Sequence, residues 1–154
     1  DVLLWDAEVE VEIGDPEVAR ANVNLIRARA ADPSGFVMKY LDDAHPQSGF
    51  SNTPAANYKI GLYTTSWAGN QDLARKAVRF ERYIELGMEG MRFFDLVRWG
   101  IANEEITRYL AKEQVLGISY LSGATFTPGK TEYYPLPQNE IDKSGGKLKQ
   151  NPGY

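Results

Sequence analysis

The sequence contains no cysteine and a single histidine, His45. The first absence excludes disulfides, thiol catalysis and any zinc site built on thiolates, and by itself says nothing about compartment. A lone histidine without a partner pattern reads as incidental rather than as a ligand or base. No run of about 18 apolar residues occurs, so no segment reads as a membrane-spanning helix. The opening residues do not read as a signal peptide. There is no basic cluster, and a formal charge of −4 with a pI near 5.1 argues against nucleic acid as a partner.

What is present is ordinary in bulk. The 154 residues suffice for one domain with a real core, and 43% hydrophobic with 25% charged content is that of a globular protein. The first residues, DVLLWDAEVEVEIG, already read as the middle of a helix, with nothing like an N-cap or leader ahead of them. The chain is therefore expected to be a piece of something longer.

One stretch, Gln71 to Gly100, has the most sustained period and the densest charge and aromatics. On a wheel of about 100° per residue, Leu73, Ala77, Phe80, Ile84, Gly87, Met91 and Phe94 share one face, which predicts a long helix burying that stripe. Val78, Leu86, Phe93 and Leu96 lie opposite, among Arg82, Glu85, Glu89 and Arg92. A helix apolar on one side and mixed on the other is expected to be a central spine packed from two directions. Glu81, Glu85 and Glu89 stack at i, i+4, i+8, a spacing that destabilises a helix by a few tenths of a kcal/mol per like pair, about 0.2–0.5. Arginines interleave at three-residue spacing: Arg82–Glu85, Glu89–Arg92, Arg92–Asp95 and Asp95–Arg98. The set Arg82, Glu85, Glu89, Arg92, Asp95 and Arg98 reads as a structural ion-pair ladder. It is either a solvated face, where each pair contributes ~0–1 kcal/mol, or a partly buried ladder that fixes how the helix docks.

In chain order, residues 1–31 read as a helix pair. Leu3, Leu4, Ala7 and Val11 give the first helix one face, Gly14 ends it, and Asp15-Pro16 restarts the chain as N-cap and first helical position. Val18, Ala19, Val23, Ile26 and Ala30 carry the second helix to about Ala31. Such antiparallel pairs often belong to tetratricopeptide-type repeats, which need stacked neighbours. Only one pair is visible here.

Residues 32–70 read as a long loop, because prolines and glycines break every candidate period. Tyr58–Tyr63 is the one run that could pair as a strand, weakened by Gly61. Loops of this length are often functional. Tyr58, Tyr63 and Trp67 are the candidate ligand-binding residues, since rings on a polar loop offer stacking faces to a sugar. The alternative is that these rings pin the loop to the helices. Residues 71–116 hold the spine and a further helix, Asn103–Leu116, stopped by Gly117. Residues 117–154 form a tail, extended where proline follows Tyr134 and Leu136.

Three motifs resemble those of the RagB/SusD family, in collinear order over nearly the whole chain. The spine carries Glu81-Arg82, Glu85-Leu86, Glu89-Gly90, Arg92-Phe93-Phe94-Asp95-Leu96 and Arg98-Trp99-Gly100. The tail carries Tyr134-Pro135-Leu136-Pro137-Gln138, Glu140-Ile141-Asp142 and Leu148-Lys149-Gln150-Asn151-Pro152-Gly153-Tyr154. The opening Val2-Leu3-Leu4-Trp5, Ala7-Glu8, then Asn24, Ile26-Arg27 and Arg29-Ala30 are similar to the family's last helical repeat pair.

The resemblance is to the family's C-terminal part, and it implies a mainly α fold of tetratricopeptide-like pairs with long irregular loops and few short strands. It implies a nutrient-binding lipoprotein of the outer membrane of Bacteroidota, facing outward in polysaccharide utilisation. Its partners would be a glycan, or sometimes a peptide or other nutrient, and a SusC-like TonB-dependent transporter that it covers as a lid. The missing N-terminal part of the same protein would be a further partner. No chemistry on the ligand and no cofactor is implied. Members carry an N-terminal lipid-anchoring cysteine, absent from this chain, which fits the expectation of a fragment. No binding motif of the family matches residue by residue, and the signature residues Glu85, Glu89, Arg92 and Asp95 read as structural.

Two other classes fit parts of the sequence. A glycoside hydrolase would need paired carboxylates, and Glu81, Glu85, Glu89 and Asp95 supply them at ~5–6 Å between Cβ atoms, near the ~5–5.5 Å of retaining enzymes. A pair on one helix does not flank a bond across a cleft, and the arginines would keep both groups ionised when one must donate a proton. A helical-repeat scaffold that binds only protein is the other class, opposed by the long aromatic loop. A hard cation at the glutamate stack is already replaced by the arginines.

Overall fold

A computed structural model describes residues 1–154. Helix accounts for 51% of the chain, in six α-helices and three short 3-10 turns beside one two-stranded sheet, as the mainly α expectation required. Two units divide it, Asp1–Gly87 and Met88–Tyr154.

In the first unit, α1 (Val2–Ile13) and α2 (Pro16–Ala30) form the expected helix pair across Gly14 and Asp15. Asp15 caps α2 by accepting from Glu17 N–H at 2.9 Å, with Pro16 in the first turn, where its missing N–H costs nothing. Leu4, Ala7 and Val11 of α1 face Ala19, Val23 and Ile26 of α2 in one buried cluster, while Leu3 stays 42% exposed.

The third helix, α3 (Gln71–Glu85), completes this core, but not with the expected stripe. Its buried residues are Ala74, Ala77, Val78, Glu81 and Arg82, whereas Leu73, Phe80 and Ile84 are exposed. The physical reason lies on α1 and α2, which carry the partners of its charges. Arg75 makes two bonds to Glu12 at 2.7 and 2.8 Å. Glu81 meets Arg27 at 2.8 Å, Arg82 meets Asp1 at 2.7 Å and Glu8 at 3.2 Å, and Glu85 pairs with Arg29. Alanines between those charges let the backbones come close, and the pairs satisfy what the contact desolvates.

The segment 32–70 contains a hairpin. Strands β1 (Met38–Tyr40) and β2 (Phe50–Pro54) pair antiparallel, with Met38 opposite Pro54 and Tyr40 opposite Phe50. The run Tyr58–Tyr63 forms no strand. Its backbone is instead held by α2 side chains.

The expected single helix over 71–100 is two helices. It breaks after Glu85, turns through Gly87, Met88 (φ 68°) and Gly90 (φ 76°), and resumes as α4 (Arg92–Arg98). Two glycines within four residues cost about 1 kcal/mol each in a helix interior, so the numerical period across them is not realised.

In the second unit, Gly100 (φ 70°) closes α4 in a Schellman turn, Ile101 N–H bonding Leu96 O and Gly100 N–H bonding Val97 O, both at 3.0 Å. Only a residue without Cβ takes that conformation cheaply. It sends the chain into α5 (Ala102–Val115), ended at Gly117 as expected. Leu96, Ala102 and Phe126 form the small core, flanked by Phe93, Val97, Trp99, Ile101 and Ile106. After a short helix, α6 (Gln138–Lys143), the tail returns to clasp the extended segment before it. The Gln150 side chain accepts from Leu136 N–H at 2.7 Å and donates to Leu136 O at 2.8 Å, acting as the strand partner that this proline-flanked segment lacks. Asn151 donates to Tyr134 O at 2.6 Å, and the Tyr154 hydroxyl to Tyr133 O at 2.9 Å. Lys130 covers the Tyr154 ring at 4.7 Å. The tail motif is thus a backbone clasp.

Candidate ligand-binding surface

The polar face of α2 organises the loop. Glu17, Arg20, Asn24 and Arg27 recur at helical spacing, and each reaches the segment 61–68. Glu17 Oε1 accepts from Ser66 Oγ at 2.8 Å, Trp67 N–H at 2.5 Å and Ala68 N–H at 3.0 Å, while Oε2 binds Arg20. The Arg20 guanidinium first, then the Ser66 hydroxyl and these amides, hold the Glu17 carboxyl at a pKa of about 2. Asn24 exchanges two bonds with the Tyr63 backbone at 2.8 and 3.0 Å, and Arg20 donates to Tyr63 O at 2.9 Å. Arg27 donates to Gly61 O at 2.5 Å, and its guanidinium lies 4.8 Å from the centre of the Tyr63 ring. The pattern at positions 17, 20, 24 and 27 was legible in the sequence but not read as a loop-holding face.

The three aromatic candidates occupy different places. Trp67 is 1% exposed, within the core of the three helices, so its ring presents no face to a sugar. Tyr63 sits edge-on to it, 5.1 Å between centres at 64°, and is half-buried, which raises its phenol pKa by desolvation. Tyr58 stacks on Phe36 at 4.3 Å, its hydroxyl 3.4 Å from Val37 O. Tyr63 and Trp67 come together; Tyr58 belongs to the base of the hairpin instead.

The sequence reading missed the hairpin's own rings. Tyr40 and Phe50 stack across the strands at 5.1 Å and 20°, with 44% and 60% of their surfaces exposed. They border a cavity of about 310 Å³ with Val37, Met38, Lys39, Asp43 and Ala55. The signal was the short alternation around Met38–Tyr40, too brief to separate from loop. His45 lies in the hairpin's connection, 2.8 Å from Asp42, whose carboxyl it holds below the ordinary range. A second cavity, about 240 Å³, lies beyond α5 between Gln114 and Gly123.

The ladder residues also separate. Of the expected pairs along one helix, Asp95–Arg98 forms at 2.8 Å, with Asp95 buried. Arg82 and Glu85 turn to α1 and α2, Glu89 sits exposed in the turn, and Arg92 reaches Glu105 at 3.9 Å. Of the carboxylates considered as an enzymatic pair, Glu81 and Glu85 are each bound to an arginine of α2. No group of three His, Asp or Glu side chains is arranged for a metal ion.

With a single helix pair, a strapped aromatic loop and a clasped tail, the chain is of the mainly α-helical class. The profile of the SusD family matches residues 1–154, and the chain belongs to that family. A search of curated proteins returns no match. Membership points to nutrient or glycan binding at the cell surface, in a family that is generally non-catalytic, typically outer-membrane associated, and generally works with SusC-like transporters. No helix is long and apolar enough to cross a membrane.

Proposed function

We propose that this chain is the C-terminal part of a glycan-binding lipoprotein that delivers its ligand to a SusC-like TonB-dependent transporter. The anchor would be a lipidated N-terminal cysteine outside these residues, on the outer face of the outer membrane in Bacteroidota. The observation that carries the reading is the family match over all 154 residues. The loop supports it, because α2 holds residues 61–68 as a defined surface rather than a tether. Tyr63 and Tyr58 are the ring candidates there, and Trp67 acts from beneath by fixing Tyr63 edge-on. Binding would rest on shape, stacking and hydroxyl hydrogen bonds, with no step of chemistry on the ligand.

A second reading, a helical surface for protein contact, is favoured by one observation. Leu73, Phe80, Tyr83 and Ile84 of α3 and Trp5, Val9 and Ile13 of α1 are all at least 40% exposed. A glycan array probed with this chain and with its Tyr63→Ala variant separates the two. Binding by the chain that falls in the variant supports the first reading. Silence on every glycan, with capture of the transporter retained, would favour the second.

A further inference from the structure

We infer that the hairpin is a binding site of its own, taking a neutral, hydroxyl-rich ring ligand: a sugar unit of an uncharged glycan. The inference rests on the reading that the protein binds glycans, and it adds Tyr40 and Phe50 to the contact that reading gives Tyr63. These two residues are directly opposed across the antiparallel pair, and their rings stack nearly parallel outside any core. A stacked pair held in water keeps apolar ring area exposed, which folding alone does not reward.

The hairpin that carries the rings is more firmly built than two short strands require. An isolated two-stranded hairpin is marginal in water. Here the base is locked by the Phe36–Tyr58 stack and by Ala55 N–H to Val37 O at 2.8 Å. The tip is locked by Leu41 N–H to Gly49 O at 3.0 Å and by Asp42, which accepts from Ala44 N–H at 2.9 Å and binds His45. Through its stack on Phe36, Tyr58 also positions this platform.

The cavity beside the rings sets the ligand's chemistry. Its volume, about 310 Å³, is that of a small-molecule cleft. Its wall combines the two rings with one cation, Lys39, and one anion, Asp43. A ligand of either charge meets one like charge there. A neutral polyol meets a donor for its oxygens and an acceptor for its hydroxyls, while the apolar face of its ring lies on an aromatic face.

The test is native affinity electrophoresis of the 154-residue chain in gels containing neutral polysaccharides (starch, mannan, xylan and mixed-linkage glucan) or charged pectin. The comparison is with Phe50→Ala, Lys39→Met and Tyr63→Ala. The expected result is retardation by a neutral polysaccharide that weakens about tenfold in Phe50→Ala, as loss of one stacked ring implies. Removing a ring also loosens the hairpin, so Lys39→Met, which keeps both rings, is expected to weaken binding several-fold with an unchanged melting temperature. Neutral glycan binding that Phe50→Ala and Lys39→Met both leave intact overturns the site but not the glycan reading. Retardation by pectin alone overturns the neutral ligand. No retardation in any gel overturns the site and the glycan reading together.

Discussion

Replacing Arg82 by alanine is expected to be the most damaging single change to a charged residue. Its side chain is completely buried, and its guanidinium is bound by Asp1 at 2.7 Å and by Glu8 at 3.2 Å, tying α3 to α1. Removing one partner of a buried pair costs ~3–5 kcal/mol, because the other charge is left uncompensated. Asp1 is 35% exposed and Glu8 17%, so solvent recovers part of that cost and the lower end applies, about 3 kcal/mol. At roughly 2–4 °C per kcal/mol for a chain of this length, the melting temperature falls by roughly 6–12 °C. Glu85→Ala is the control: its partner Arg29 is 69% exposed, and the change costs at most about 1 kcal/mol. Arg82→Met with Glu8→Gln removes the buried cation and its less exposed anion while filling the space, leaving the partly exposed Asp1, and is expected to recover part of the loss. Differential scanning calorimetry reads all three. Equal melting of Arg82→Ala and Glu85→Ala would refute the reasoning, since burial is what separates them.

Two further outcomes follow from the loop and the clasp. Glu17 has a folded pKa of about 2, below its ordinary 4.5, so its contribution to stability is complete above pH 4.5 and is lost as pH falls toward 2. Urea midpoints between pH 5 and 2.5 should fall less steeply in Glu17→Gln than in the parent, and parallel curves would contradict the assignment. A Cβ at Gly153 would sit 2.9 Å from Lys130 Cδ and Cγ at a backbone φ of 82°, so Gly153→Ala costs about 1–2 kcal/mol locally and exposes the tail. Limited proteolysis should then cut after Lys147 or Lys149 sooner than in the parent, and unchanged cleavage would show that the clasp does not hold the tail.

What the sequence made legible was local. Gly14, Asp15 and Pro16 punctuate the α1–α2 pair, and Gly117 ends α5, because capping depends on residues within a turn of each other. The buried face of α3 was not legible, since the partners that decide it lie far away in sequence, Asp1 for Arg82 and Arg27 for Glu81. Periodicity scored Leu73, Phe80 and Ile84 as core, but long-range ion pairs and the small residues Ala74 and Ala77 set the contact. The continuity of helix from Glu85 to Arg92 failed for the opposite reason: the local glycine signal was present and was outweighed by a coincidence of period. At the loop, aromatic content drew attention to the segment 32–70. It could not tell buried Trp67 from exposed Tyr40 and Phe50, because that division depends on which rings α2 pulls inward.

Isothermal titration of the 154-residue chain with oligosaccharides of the neutral polysaccharides is the most direct measurement of whether this SusD-family chain binds glycan itself. Saturable heat with one of them, and a negative heat-capacity change from ring faces leaving water, is the expected result. Flat titrations with every oligosaccharide, from a chain whose calorimetric melt is cooperative, would contradict it.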